Sequence, residues 1–298
     1  MGKRIDDMIH PDFKERVQII HSRVRELDES RVPILVLHDL AQDPEVQHLR
    51  NGGWKNFGKL VFVSHWQQQE YNTRLGVPFE AGVVLRNAIS PIREHAKPKD
   101  KLRIMYYSTP HRGLNIAYAA FDELYKEYGD LIEFNVFSSF DLYGWEKRDE
   151  PFKPLFDALK NHPGVNYSKS VPNETIREEL TRSHIFAYPS IWQETSCLCL
   201  IEAMSANLTC VHSSLGALPE TSMGLTNMYP YTESVQDHLD RFYMNLKDSI
   251  ESYYSNSDKL IIPYSNRPVK SLVDQVYCIG SRAFQWNLML EDVLTNTR

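Results

Sequence analysis

The chain has 298 residues, enough for one large domain or two smaller ones, and its 42% hydrophobic and 24% charged residues are typical of a globular protein. A net charge of −6 without a dominant basic stripe argues against nucleic acid as the main partner. No apolar window is long enough for a transmembrane helix, the N-terminus lacks a signal-peptide stretch, and the four cysteines show no paired metal-ligand spacing. We therefore expect a protein of the reducing cytoplasm.

Short apolar runs alternate with helical patterns along the chain, which is typical of parallel α/β sheets. In the first part we expect strands at residues 17–21, 33–38, 59–64 and 82–86, and a helix at 66–75. In the second part we expect strands at 102–107, 132–137, 165–167, 185–188 and 208–212, and helices at 116–128, 174–181, 197–206 and 235–254. Apolar residues at helical spacing over 272–294 predict a further helix, in which Gly280 would separate two pieces.

Residues 88–100 contain two prolines and mixed charges, as expected of an interdomain linker. We predict two Rossmann-like lobes, at residues 1–89 and 90–271, followed by a helical segment at 272–298. Two such lobes would form a cleft at the carboxyl ends of their strands, where α/β proteins bind ligands. A row of polar residues follows the predicted strands: His21, Ser22, Arg23, His38, Asp39, Ser64, His65, Ser108, Thr109, Ser138, Ser139, Ser190, Ser213 and Ser214.

Two carboxylates, Glu194 and Glu202, lie where an apolar strand gives way to a helix. Carboxylates at such a corner can accept hydrogen bonds from ligand hydroxyls, and the N–H groups at the start of the helix can hold an anion. A ligand with hydroxyls at both ends and phosphate in the middle is a nucleotide-sugar. For Glu202, the structural alternative is an ion pair with a nearby lysine or arginine.

The loop after the strand at 102–107 places Arg112 and Gly113 directly before a helix. A guanidinium there would add a charge-assisted donor to the helix amides, which suits a diphosphate, although an arginine near a helix start is often a surface residue. Further along, Gly216 permits a tight turn and Pro219 suits the first turn of a helix.

Four motifs in this order resemble the donor lobe of GT-B glycosyltransferases, most closely family 4 (glycosyl transferases group 1), whose members are retaining. They are Arg-Gly-Leu at 112–114, Pro-Ser at 189–190, Glu-x7-Glu-Ala-Met at 194–204 and Gly-x-Leu-Pro-Glu at 216–220. The resemblance covers roughly residues 60–225. It implies that Glu194 contacts the donor sugar, that Glu202 holds the ribose hydroxyls and that Arg112 binds the diphosphate.

The resemblance also assigns the rest of the candidate site. In the first lobe it places His38 near the reacting sugar carbon and Asn87 at the hinge, whereas His21 and His65 are expected to be satisfied structural histidines. The backbone amides of Ser196, Cys197 and Leu198 would meet the sugar and the phosphates. The nucleotide base would lie near these residues: Ser138, Ser139, Val171 and Pro172.

The chain departs from the family pattern in two places. The usual Gly-Arg and Lys-Gly pairs at the start of the second lobe are reduced to Arg112-Gly113, and Ser108 stands near the first basic position. The first lobe is short, at about 90 residues, and lacks the family's opening strand and glycine-rich loop. Part of the acceptor lobe would then be missing, which leaves open its completion by a partner chain, including a homodimer.

The resemblance implies a hexosyltransferase-type enzyme that moves a sugar from a nucleotide diphosphate sugar to a hydroxyl acceptor (a glycan, lipid or small molecule) with no cofactor beyond that co-substrate. No Asp-x-Asp motif occurs, so no bridging metal is expected, and Arg112 with the helix start would neutralise the leaving group. Two alternatives remain open: a nucleotide-sugar epimerase or hydrolase of the same architecture, and a non-catalytic nucleotide-sugar-binding partner subunit.

Overall fold

The computed structural model describes residues 2–254, 259–261 and 267–296, so the outermost ends of the predicted first lobe and C-terminal segment, residue 1 and residues 297–298, lie outside the described residues. The chain divides into two compact units. Unit 1 consists of Met1–Ser90, Glu194–Cys197 and Asp274–Arg298, and unit 2 of Pro91–Gln193 and Leu198–Val273. Each unit contains one parallel sheet, which confirms the predicted α/β class.

The sheet of unit 1 has four strands in sequential order, β1-β2-β3-β4. Their bounds are β1 Val17–His21, β2 Val32–Val36, β3 Lys59–Phe62 and β4 Gly82–Val84. Register pairs Ile19 with Ile34, Leu35 with Leu60, and Val61 with Val83, all in parallel. Because parallel strands point the same way, the residues after β1, β2 and β3 share one edge of the sheet.

The sheet of unit 2 has six strands in the order β10-β9-β8-β5-β6-β7, all parallel. Their bounds are β5 Leu102–Tyr107, β6 Ile132–Phe137, β7 Val165–Ser168, β8 Ile185–Tyr188, β9 Thr209–Ser213 and β10 Asn227–Tyr229. The order reverses between β5 and β8, which makes this edge a topological switch point, where α/β sheets bind ligands.

Eleven α-helices lie in the described residues: α1 Gly2–Met8, α2 Pro11–Lys14, α3 His65–Leu75, α4 Leu114–Tyr128, α5 Lys153–Asn161, α6 Asn173–Arg182, α7 Leu198–Ser205, α8 Leu218–Ser222, α9 Val235–Tyr254, α10 Arg267–Val276 and α11 Ile279–Asn296. Short 3-10 segments include Pro44–Asn56, Pro110–Arg112 and Glu146–Phe152. All predicted strands and helices are present with ends shifted by a few residues, whereas β10, α1, α2 and α5 were not predicted. Within the described part of the chain, no helix is long and apolar enough to cross a membrane.

The core of unit 1 has two faces because successive residues of a strand point to opposite sides. Ile34 and Val36 pack in one cluster with Trp286 and Leu290 of α11, while Leu35 belongs to the cluster on the other face. The last helix of the chain therefore supplies apolar side chains to the first sheet.

The break expected at Gly280 is present, but it lies two to three residues earlier. The helices are interrupted at Tyr277 and Cys278, and Gly280 lies in the first turn of α11. The reason is a long-range backbone contact: the Ile89 amide donates to the Tyr277 carbonyl at 2.9 Å, and Ile89 forms a bridge with Cys278. A local pattern cannot show this contact.

The predicted linker at residues 88–100 is less solvated than its composition suggests. Nζ of Lys97 donates to the Leu180 carbonyl at 2.8 Å, and burial lowers the pKa of this lysine to about 7. The Ile92 amide donates to Oγ of Ser205 at 2.9 Å. Residues 91–98 are thus hydrogen-bonded into unit 2.

Candidate functional site

Glu202 lies near the middle of α7, where it is only 5% exposed among the buried side chains of Leu200, Ile201 and Met204. Nη1 of Arg177 on α6 donates to its Oε1 at 2.8 Å. The ion pair considered as the structural alternative is therefore present. It fixes the carboxylate in one orientation and compensates its charge.

The position after Arg112 has room only for glycine. Its φ of +98° lies in the left-handed region, and a Cβ at this position would lie 2.1 Å from the Pro189 carbonyl oxygen. The loop after β5 therefore lies directly against the loop after β8, and a side chain at position 113 would separate them. Arg112, half-buried at the end of the 3-10 turn, is held at the start of α4 by this contact.

An aromatic cluster flanks Arg112. The His111 ring stacks on Phe140 with centroids 5.1 Å apart and meets Trp192 edge-on at 4.9 Å. Burial, followed by the charges of Arg112 and Arg148, lowers the pKa of His111 to about 4. The imidazole is consequently neutral near pH 7, and Arg112 carries the positive charge of this loop.

The two serines after β6 have different roles. Oγ of Ser139 donates to Asp149 Oδ2 at 2.5 Å, so this hydroxyl serves the fold. Ser138 is 1% exposed, and its hydroxyl has no hydrogen-bond partner among the described residues. A buried hydroxyl without a partner is unfavourable. Of the two serines predicted near the base, Ser138 is therefore the one whose hydroxyl is available to a ligand.

Most of the other residues of unit 2 that were predicted at strand ends stabilise the loops of the fold. Oγ of Ser190 donates to the Trp192 carbonyl at 2.9 Å, and Oγ of Ser213 donates to the Ser190 carbonyl at 2.7 Å. Ser108 is half-buried just beyond β5, and Val171 is half-buried before the N-cap residue of α6. The turn expected at Gly216 is present, with φ of +64°, and the helix that follows contains a proline in its first turn.

Glu194, Ser196 and Cys197 group with unit 1, whereas Leu198 and the rest of α7 group with unit 2. Glu194 and Cys197 are buried and Ser196 is half-buried. Oγ1 of Thr195 donates to the His38 carbonyl at 2.9 Å. Two residues predicted to act together, Glu194 and His38, are thus connected through Thr195, for which the sequence pattern gave no signal.

His38 and His21 follow neighbouring strands, and their rings are parallel, 12° apart in orientation with centroids separated by 6.0 Å. Burial, followed by His21, lowers the pKa of His38 to about 4, and burial also lowers that of His21. Both ring nitrogens of His21 are buried without a partner among the described residues, so the expectation of a satisfied structural histidine is wrong here.

His65 lies exposed at the start of α3, and the Ser64 hydroxyl accepts from the Gln67 amide as a helix cap. Asn87 is half-buried after β4.

Among the residues described, no group of three or more histidine, cysteine, aspartate or glutamate side chains is arranged to hold a metal ion.

Comparison with known structures defines the class of fold. A glycosyltransferase from Rickettsia africae aligns with a TM-score of 0.72 at 13% identity, covering 99% of this chain and 81% of its own. HepE of Anabaena in complex with UDP-glucose aligns at 0.62 with 13% identity, covering 89% and 72%. Sucrose-phosphate synthase from Thermosynechococcus elongatus aligns at 0.66 with 12% identity, covering 89% and 69%. The protein has the GT-B fold.

The sequence comparison is specific to one region. Residues 91–223 match the model of the family glycosyl transferases group 1. No curated protein sequence matches the chain. The matched region includes Arg112, Glu194 and Glu202.

Proposed function

We propose that this protein is a retaining, family 4-like glycosyltransferase of the hexosyltransferase type that transfers a sugar from a nucleotide diphosphate sugar to a hydroxyl acceptor without a metal. The observation that carries the proposal is the buried, arginine-oriented carboxylate of Glu202, eight positions after the buried Glu194, inside the region that matches the glycosyl transferases group 1 family.

Glu202 is proposed to accept hydrogen bonds from the ribose hydroxyls. A carboxylate has about four lone-pair sites, so Glu202 can keep the bond from Arg177 and still accept from a ligand. Arg177 would act as a positioning residue, because the ion pair holds the carboxylate in the orientation that the ligand needs. Glu194 would accept from hydroxyls of the transferred sugar.

The diphosphate is proposed to lie against Arg112 and the amides of Ser196, Cys197 and Leu198, with Ser108 nearby. Arg112 and these N–H groups would stabilise charge as it develops on the leaving phosphate. The neutral His111 adds no charge beside Arg112. The base would contact Ser138 through its hydroxyl and the segment at Val171 through backbone atoms.

The reaction is proposed to occur on one face of the sugar. The bond from the anomeric carbon to the phosphate oxygen breaks, and a bond to the acceptor oxygen forms on the same side, with His38 lining the site. The acceptor proton passes to the leaving phosphate oxygen, so no additional base or covalent nucleophile is needed.

The structural neighbours agree with a nucleotide-sugar donor, since HepE was crystallised with UDP-glucose. We propose a cytoplasmic location, a glycan, lipid or small-molecule acceptor, and a short first lobe that a second copy of the chain would complete.

Transfer assays with labelled nucleotide-sugars test the assignment. Glu194→Gln and Arg112→Ala should each lower the transfer rate by about a hundredfold, whereas the exposed controls Glu178→Gln and Arg241→Ala should leave it unchanged. If both site variants transferred at the wild-type rate, the assignment would be wrong. Product analysis with and without acceptor separates the alternatives, because a hydrolase or epimerase converts the donor alone and a binding subunit converts nothing.

A further inference from the structure

The edge of the first sheet carries a polar cluster of which the proposed function uses only His38. This histidine cluster consists of His21, Ser22, His38 and Asp39, which lie at the carboxyl ends of the neighbouring strands β1 and β2. Ser22 has a φ of +58°, an unusual value for a residue other than glycine, and its hydroxyl hydrogen-bonds Asp39. Strained residues of this kind often occur at ligand sites.

The cluster contains several buried polar atoms without internal partners. Nδ1 and Nε2 of His21, Nε2 of His38 and Oδ2 of Asp39 have no hydrogen-bond partner among the described residues. Such atoms are unfavourable unless a ligand or solvent meets them. His184 in unit 2 is a contrasting case, because both of its ring nitrogens are bonded, at 2.9 Å to the Arg103 amide and 2.9 Å to the Pro98 carbonyl.

The hydrogen-bonding capacity of these atoms is mixed. Because burial lowers the pKa values of His21 and His38, both rings are neutral near pH 7, and a neutral imidazole presents one donor and one acceptor. Oδ2 of Asp39 adds an acceptor. A hydroxyl both donates and accepts, so adjacent hydroxyls match this set. A phosphate or carboxylate offers acceptors alone and would face the Asp39 oxygen and the imidazole lone pairs unfavourably.

The described charges around the cluster also disfavour an anion. Asp6 acts on His21, and Asp43 and Glu45 act on Asp39, whereas Arg23 is the described cation that acts on Asp39. Among the described side chains that act on the cluster, three are carboxylates and one is a guanidinium, so these side chains disfavour a phosphorylated ligand relative to an uncharged one.

We propose that the histidine cluster is an acceptor subsite that binds a neutral saccharide through adjacent hydroxyls, and not a phosphorylated or carboxylated acceptor. The proposal rests on the transferase function proposed above. The donor contacts proposed for Glu194, Ser196 and Cys197 also belong to unit 1. None of the four residues of the cluster is assigned to the ribose, the base or the phosphates, so we assign the cluster to the acceptor. The Thr195 bond to His38 joins this cluster to the segment that begins with Glu194, the residue assigned to the transferred sugar.

Ligand-observed NMR with the full chain tests the subsite at millimolar ligand concentration. The probes are a panel of neutral methyl glycosides and the corresponding sugar phosphates, each added with and without UDP. The variants are His21→Gln and Asp39→Asn, and His48→Gln is the matched control because His48 is exposed in the same unit. Donor binding by each variant is measured separately, by thermal shift with UDP-, GDP- and ADP-sugars.

At least one neutral glycoside should bind more tightly than its phosphate, and His21→Gln and Asp39→Asn should each weaken that binding about tenfold. Donor affinity should stay within about twofold in both variants, and His48→Gln should match wild type. Equal or tighter binding of the sugar phosphates, no binding of any neutral glycoside, or unchanged affinity in both variants would overturn the subsite. If the wild type bound none of the nucleotide-sugars, the proposed function itself would be overturned.

Discussion

The two sheets end their strands in polar side chains but use them differently. In unit 2 the hydroxyls of Ser139, Ser190 and Ser213 hydrogen-bond within the protein, and Glu202 is paired with Arg177. In unit 1 the histidine cluster keeps buried atoms that have no partner among the described residues. The hydrogen-bonded strand ends of unit 2 therefore fix loops and orient one carboxylate, with Ser138 as an exception, whereas the atoms of the histidine cluster in unit 1 are proposed to meet a ligand.

Removing the arginine that compensates Glu202 should have the largest effect. Arg177→Met leaves a buried carboxylate without its cation and should lower the free energy of unfolding by about 3–5 kcal/mol. Urea denaturation at pH 7 measures the loss. The double variant Arg177→Met/Glu202→Gln should lose clearly less, because no buried charge remains. Equal stability of the single variant and the wild type would show that unit 2 does not depend on this pair.

A side chain at position 113 should disturb the loops that hold Arg112. Gly113→Ala combines a strained φ with a contact of 2.1 Å to Pro189, so we expect a loss of about 3 kcal/mol and weaker nucleotide-sugar binding. Gly144→Ala is the control, because its φ is +70° but no atom lies within 4 Å of the added Cβ. Only the backbone cost of about 1 kcal/mol should remain there. Equal losses for the two variants would contradict the role of the close contact.

The free energy of unfolding should depend on pH because His38 is buried in its neutral form. The pKa of His38 falls from an ordinary value of 6.5 to about 4 in the folded protein, so the unfolded chain binds more protons between these values. Stability contributed by neutral His38 is present above pH 6.5 and is lost as the pH falls towards 4. His38→Gln should therefore reduce the stability difference between pH 7 and pH 4.5 by about 2 kcal/mol.

Denaturant titrations at several pH values measure that difference. The wild type, titrated in parallel, is the reference for this slope. An unchanged slope in His38→Gln would mean that this imidazole is not held neutral by burial.

The smallest effect is expected at the hydrogen bond from Thr195, the residue after Glu194, to the His38 carbonyl. Thr195→Val removes the donor to the His38 carbonyl and should cost about 1 kcal/mol of unfolding free energy. Thr181→Val is the control, because the Thr181 hydroxyl donates to the Glu178 carbonyl within its own helix. If both variants were equally stable, the link between Glu194 and the histidine cluster would carry no energy.

Much of the fold was predictable because its signals are local. The buried strands β5, β6 and β8 are bounded by turn residues, and their predicted limits match the structure. The short strand β10 was not predicted, since three residues with one buried side chain carry little pattern. The break before α11 was also misplaced, because it depends on Ile89, far away in the chain.

The candidate site was predictable in its carboxylates but not in their partners. Glu202 stood out because it interrupts an apolar helix face, yet Arg177 lies on another helix and its neighbours do not distinguish it from other surface arginines. Thr195 and the orphaned nitrogens of His21 were missed for the same reason: hydrogen bonds between distant segments leave no spacing in the sequence.

Titration of nucleotide diphosphate sugars into the wild type and Glu202→Gln, followed by calorimetry, tests the central claim most directly. At least one donor should bind the wild type, and the loss of the carboxylate that accepts from ribose should weaken binding by about tenfold or more. Binding that is equal in both proteins, or no binding of any nucleotide-sugar to the wild type, would contradict the proposed donor site.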